Sequence, residues 1–200
     1  MMGDMQVGRV PLVGRQADLE ALHDEVAAVG SAGRAVVVSG DAGRGKTRLL
    51  RDFTESLDGA VVVRGSCVDS GSGPAPLTAV TDLLRDLVDA IGIDAVREAA
   101  GPGADALGVL VPALATAPSD AERLADVVGE MFSQLARTRR LVVIVEDLHW
   151  ADGTTLEIVS RLVRRAAGCR CSCCCRTAPM TWGGGIRCAP CSPSSSEHAC

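Results

Sequence analysis

An α/β fold with a mostly parallel sheet is the class this sequence predicts, and three observations carry it. Short, β-branched apolar runs stand at 35–39, 60–64 and 141–145. Segments of helical periodicity separate them, and Gly, Ser and Pro gather in the joints. Runs that are apolar at consecutive positions belong to strands buried on both faces, and such strands need a layer of helices on each side. With 47% hydrophobic residues in 200 and 22% charged, the chain can build one core and is not disordered as a whole. Aromatics make up only 2%, with no Tyr, so Ala, Val and Leu must fill that core.

The elements follow in order. Leu19, Leu22, Val26 and Val29 recur at helical spacing and predict a helix over 16–29, closed by Gly30 and Gly33. The first strand, 35–39, runs directly into a glycine-rich loop at 40–47 and then a helix to about 57. A second strand is predicted at 60–64, and 65–76 reads as Gly/Ser/Pro loop. Val80, Leu84, Leu87 and Ile91, with Leu83 and Val88 beside them, predict a helix over 77–91. From 92 to 118 the Gly-, Pro- and Ala-rich chain has room for two short helices. Ser119 and Glu122 form a capping box ahead of Leu124, Val127, Val128, Met131, Phe132 and Leu135, the apolar face of a further helix. A third strand, 141–145, ends in Glu146 and Asp147. Asp152 or Thr154 can cap a last helix through Leu156, Val159, Leu162 and Val163. No internal repeat is visible.

Charge and hydropathy exclude several classes. A net charge of −5 and a pI near 5.2 argue against a nucleic-acid surface, which needs clustered Lys and Arg. The longest apolar run, 107–117, carries a proline and falls short of the roughly 18 residues of a membrane span. The first ten residues have no apolar stretch of a secretion signal, so the expected location is the cytoplasm.

The loop at 40–47 carries the first chemical signal. Gly40-x-x-x-x-Gly45-Lys46-Thr47 is a complete P-loop pattern, and it follows a strand and opens a helix, as phosphate binding requires. Gly43 and Gly45 permit backbone angles that a Cβ forbids, so that successive amides turn inward around an anion. The helix N-terminus adds its positive dipole end. Lys46 brings a mobile positive charge to the outer phosphates, and the Thr47 hydroxyl can ligate Mg²⁺. The candidate nucleotide-contacting set is therefore Gly40, Asp41, Ala42, Gly43, Arg44, Gly45, Lys46 and Thr47, with Arg48 one residue further. Lys46 is also the only lysine among twenty basic residues.

A phosphate site that does chemistry needs acidic groups to hold the metal and polarise water. The strand at 141–145 delivers Glu146 and Asp147 at its C-terminal end, where ligands bind in open α/β sheets. Strand side chains alternate faces, so the two carboxylates point apart. One can join Thr47 around the metal while the other activates water, and the pattern leaves open which does which.

Three stretches together resemble one family: Leu12-Val13-Gly14-Arg15 before a helix, GDAGRGKTRLL at 40–50, and LVVIVEDLHWADGTTLEIVSRL at 141–162. They are similar to the AAA-like ATPase module of bacterial signal-transduction NTPases, above all the large ATP-binding regulators of the LuxR family, over about residues 10–168. The resemblance implies a three-layer P-loop NTPase with strand order 5-1-4-3-2. It implies ATP and Mg²⁺ as ligands, and slow hydrolysis used as a switch. Val13, Gly14 and Arg15 would border the adenine, and His149, Trp150 and Asp152 would form the segment after the acidic strand, where packing is the alternative role for His149 and Trp150. It also implies a longer parent protein that contacts DNA or a signalling partner through other domains. Two other readings stand beside this one: a nucleotide-binding fragment without activity, and a P-loop small-molecule kinase. The hundred or so residues between Lys46 and the acidic pair favour the ATPase over the kinase.

The last 32 residues read differently. Residues 1–168 carry a net charge of −7 and residues 169–200 a net +2, and eight of nine cysteines fall between Cys169 and Cys200. Adjacent cysteines fit one tetrahedral ion poorly, and a disulfide framework conflicts with a cytoplasmic chain. Back-translated from Cys171 with GC-rich codons and moved one base upstream, the same stretch reads VLLLLSYRTDDVGRGHPVRAVLAELERA: a buried strand, a turn and an amphipathic helix. The tail is thus expected to be out of frame. Residues 1–168 would be the ATPase domain and 169–200 an aberrant segment. On that reading residues 170–175 form a strand between 35–39 and 141–145, the fifth strand is missing, and 177–200 lack regular structure.

Overall fold

Five strands form the sheet of the computed structural model, which describes residues 14–29, 33–41, 43–117, 121–166, 171–177 and 186–190. The elements are α1 (Gln16–Ala27), β1 (Arg34–Ser39), α2 (Lys46–Glu55), β2 (Val61–Ser66), α3 (Thr78–Ile91), α4 (Ile93–Ala100), α5 (Leu124–Thr138), β3 (Leu141–Glu146), α6 (Gly153–Ala166), β4 (Cys171–Thr177) and β5 (Ile186–Pro190). The sheet order is β2-β3-β4-β1-β5. β2, β3, β4 and β1 run parallel, with Val143 opposite Val63 and Cys173, and Val36 opposite Cys174. This is the 5-1-4-3-2 order of a P-loop AAA-like NTPase.

Alternation along the strands sorts the core into two layers. Val36, Val38, Val142 and Ile144 face Leu22 and Val26 of α1 and Leu49, Leu50 and Phe53 of α2. Ala35, Val63, Leu141, Val143 and Val145 face the opposite layer of α3, α5 and α6. All six residues of β3 are buried, which explains why its sequence is apolar without alternation. Between α3 and α5 the chain forms α4 and three 3₁₀ turns, Gly101–Val109, Pro112–Leu114 and Ala121–Arg123. This Gly- and Pro-rich stretch is tied by side chains reaching backbone: Arg97 donates to the carbonyls of Ala113 and Leu114, and Asp105 accepts from the amides of Thr116 and Ala117.

Two expectations change. α5 begins at Leu124 after a 3₁₀ turn, and its N-cap position, Arg123, makes no side-chain cap bond. The Ser119–Glu122 capping box is therefore not the cap of the α-helix, and Ser119 itself lies outside the described residues. The second correction concerns the sheet edge. β4 takes the slot between β1 and β3, as expected, but the fifth position is not missing: β5 pairs with β1, antiparallel. An open edge on β1 presents a row of unpaired amides and carbonyls, and an extended segment from the tail satisfies them in the direction its short connection allows. Regular structure thus recurs at 186–190 within the tail. The side chains of the tail cysteines lie outside the described residues, and no cluster of metal-binding side chains occurs among the described ones. No described helix is long and apolar enough to cross a membrane.

β2 and α3 approach so closely that only glycine fits at position 65. A Cβ there would lie 2.1 Å from the Ala79 carbonyl oxygen, whereas one at Gly129 would meet only the flexible Arg165 side chain at 3.2 Å. Gly65→Ala should therefore cost about 2 kcal/mol or more, because backbone must shift. Gly129→Ala, in mid-helix, should be neutral or stabilise by up to about 1 kcal/mol. Urea denaturation of both variants measures the difference.

Candidate functional site

The loop from β1 to α2 is built by its glycines. Gly43 and Gly45 both sit at φ 75°, a left-handed conformation that costs other residues free energy. Gly45 occupies the N-cap position of α2, so the free amides of the first helical turn open toward the loop. Lys46 starts that helix and folds back over the loop: its Nζ donates to the Gly40 carbonyl and, at 2.8 Å, to that of Asp41. Only 6% of Lys46 is exposed. An ammonium at this depth, beside the amides of the α2 N-terminus, is placed to meet an anion in the loop.

Parity along β3 decides where the two carboxylates go. Glu146 lies on the same face as Val142 and Ile144, toward α2. There the Thr47 Oγ1 donates to its Oε2 at 3.4 Å, and Glu146 is 8% exposed. A hydroxyl and a carboxylate side by side form the oxygen-only set that suits a hard divalent cation, so the residues present fit Mg²⁺. Asp147 turns out of the strand in a left-handed conformation, φ 55°. Its carbonyl accepts from the Trp150 amide at 2.8 Å, closing a 3₁₀ turn over Leu148–Trp150. Within that turn Leu148 is buried while His149 and Trp150 are exposed, their rings 5.0 Å apart. The pair is surface, not packing.

Arg15 reaches the loop from outside. Its Nη2 donates to the Arg44 carbonyl and its Nη1 to Asp18 Oδ2, both at 2.8 Å. A cavity of about 360 Å³ lies between the start of α1 (Gly14, Arg15, Asp18) and the loop (Ser39, Gly40, Asp41, Arg44). Val13 and Ala42 lie outside the described residues. Arg48 points along α2, with its Nε 3.7 Å from Asp52 Oδ2, an ordinary i,i+4 pair. The fold thus brings Gly14, Arg15, Gly40, Asp41, Arg44, Lys46, Thr47 and Glu146 together on one side of the sheet. Asp18 joins them unannounced, although its spacing of three from Arg15 on a helix was a signal.

A family model described as the AAA ATPase domain matches residues 11–172. The chain belongs to that family. No curated protein matches it. Among solved structures, a chain in the structure of Drosophila ORC bound to AT-rich DNA and Cdc6 is similar at 16% identity and a TM-score of 0.44. The alignment covers 83% of this chain and 50% of that one, so this chain spans about half the length of the one it matches.

Asp152 closes the acidic segment of the AAA domain. It caps α6, its Oδ1 accepting from the amides of Thr154 at 3.0 Å and Thr155 at 3.2 Å. Its Oδ2 accepts from the Leu77 amide at 2.9 Å and from the Thr155 hydroxyl. Burial works against its charge, but the Thr155 hydroxyl and these amides outweigh it and hold the carboxyl below its usual value. A depressed folded pKa contributes stability that is present above the unfolded value of about 3.9 and lost as pH falls through the folded one. Asp152→Ala should therefore lower stability by about 1–2 kcal/mol at pH 7, as loss of a cap does. The gap in Tm between wild type and variant should narrow below about pH 4, as thermal melts across pH will read.

Proposed function

We propose that this chain is the ATP-binding module of a regulatory ATPase, in which Mg-ATP acts as a conformational switch. The observation that carries the reading is the meeting of Thr47 and Glu146 at 3.4 Å beside a lysine buried in a glycine cradle. In this reading Gly40–Thr47 cradle the phosphates, with Lys46 against the β- and γ-oxygens. Thr47 and Glu146 hold Mg²⁺, which when bound neutralises charge developing on the β- and γ-phosphates. Asp147, turned out of the strand, orients and deprotonates the attacking water. By the resemblance Val13, Gly14 and Arg15 border the adenine, and Gly14 and Arg15 line the cavity between α1 and the loop. The signalling role, the cytoplasmic setting and a longer parent that contacts DNA or a protein partner through other domains rest on the resemblance to LuxR-family regulators.

The tail belongs to the same proposal. We infer that residues from Cys171 onward are translated out of frame. The family match ends at residue 172, and the alternative frame reads VLLLLSY where β4 lies between two buried strands. Restoring it with Cys171→Val, Ser172→Leu, Cys173→Leu, Cys174→Leu and Cys175→Leu should stabilise the protein by about 1 kcal/mol or more per buried side chain. The nucleotide sequence of codons 165–175 decides the frame, and an unshifted coding sequence with no gain in Tm overturns it.

Mg-ATP should raise Tm with ligand concentration, by about 2.7 kcal/mol of added stability at a hundred times Kd, and Lys46→Ala should abolish the rise. An unchanged rise in the variant overturns the phosphate assignment. Asp147→Asn should slow ADP formation while leaving ATP affinity in place, whereas Glu146→Gln should raise the Mg²⁺ concentration needed and lower the rate. ATP affinity without ADP would make the chain a nucleotide-binding module without turnover, and phosphate on an acceptor would make it a kinase.

A further inference from the structure

We propose that Asp152 is a positioning residue for the acidic end of β3. Its carboxylate holds the amide of left-handed Leu77, and the backbone turn opened by left-handed Asp147 leads into it, so that the water-activating carboxylate and the start of α3 hold one geometry. The inference rests on the reading of Asp147 given above. Among the described residues only Leu77 (φ 57°) and Asp147 (φ 55°) are non-glycines with positive φ. Such conformations persist only where the surroundings over-determine them, and they gather at functional sites. Here the Asp152 side chain reaches Leu77, and a short backbone turn joins Asp152 to Asp147. Asp147 opens a 3₁₀ turn pinned by Trp150 N–H on its carbonyl and by Ala151 N–H on that of Leu148. The turn ends at Trp150, and Asp152 follows two residues on. That carboxylate then accepts from Thr154, Thr155 and Leu77, and Leu77 in turn accepts through its carbonyl from the Thr81 amide in the first turn of α3.

The stoichiometry of the carboxylate makes the link specific. An ionised Asp offers about four acceptor positions and no donor, and four donors reach Asp152: the amides of Leu77, Thr154 and Thr155 and the Thr155 hydroxyl. Asparagine keeps an acceptor oxygen for the α6 amides but turns an NH₂ group toward the Leu77 N–H. Serine caps the helix and is too short to reach Leu77. Both variants therefore preserve α6 and release α3, which separates the link from the cap. Glycine at position 77 holds the left-handed angle without help, so Leu77→Gly should compensate for the lost bond.

The test uses the full chain and two readouts. Without ligand, Asp152→Asn and Asp152→Ser should speed amide hydrogen exchange across 75–81 by about tenfold, while Asp58→Asn, on an exposed loop, leaves it unchanged. Equal exchange in all three overturns the link, whatever nucleotides do. With Mg-ATP, Asp152→Asn should lower kcat for ADP formation about tenfold with KM within about threefold, the pattern of lost transition-state positioning. Adding Leu77→Gly should return kcat to within about threefold of wild type. Unchanged kcat despite faster exchange overturns the positioning role. If wild-type protein forms no ADP, the hydrolysis reading and the positioning role fall together, and the link between α6 and α3 is still decided by the ligand-free exchange.

Discussion

The phosphate loop and the acidic strand never pair with each other. β4 stands between β1 and β3, and at about 4.8 Å per strand it sets their backbones roughly 10 Å apart. Thr47 and Glu146 close that gap with side chains alone. Everything at the site depends on this spacing and on register: a slip of one residue in β3 would turn Glu146 to the opposite face of the sheet. The chain places its cysteine-rich strand, Cys-Ser-Cys-Cys-Cys-Arg-Thr, in this most demanding position. Cysteine behaves as a small hydrophobe and completes the ladder, but it offers neighbours less surface than the Val and Leu on either side.

Local pattern and long-range geometry divide the site between them. The three strands, the flanking helices and the glycine loop follow from residues adjacent in sequence, so the periodicity of Leu83, Leu84 and Leu87 or of Val36 and Val38 was sufficient. The placement of Glu146 and Asp147 was half visible, because alternation says they part but not which face carries α2. The buried Ile144 and Leu50 settle it by lying in one layer. The tie between Asp152 and Leu77 spans 75 residues, and no spacing rule reaches that far. His149 and Trp150 carry the composition of a packed segment, yet Leu148 takes the interior because the 3₁₀ turn presents only one of the three inward.

The edge of β1 shows the same division. Apolar periodicity announces strands that need burial on two faces; β5, with one partner, needs little more than extended backbone and a vacant ladder. Its antiparallel direction marks it as a hairpin-like return and not the product of a helical crossover. A parallel fifth strand would require a dozen or more residues of connection, while only residues 178–185 separate β4 from β5.

The burial of Lys46 also sets how the protein meets amine chemistry. Because the chain has a single lysine and it is enclosed by the phosphate cradle, the surface offers no ε-amine to acylating reagents, lysine crosslinkers or lysine-directed conjugation of tagging proteins. Apart from the chain's own amino terminus, any such modification reports on one spot. A folded, occupied cradle would resist it, and an opened one would accept it, giving a covalent record of the loop's state in a mixture of other proteins.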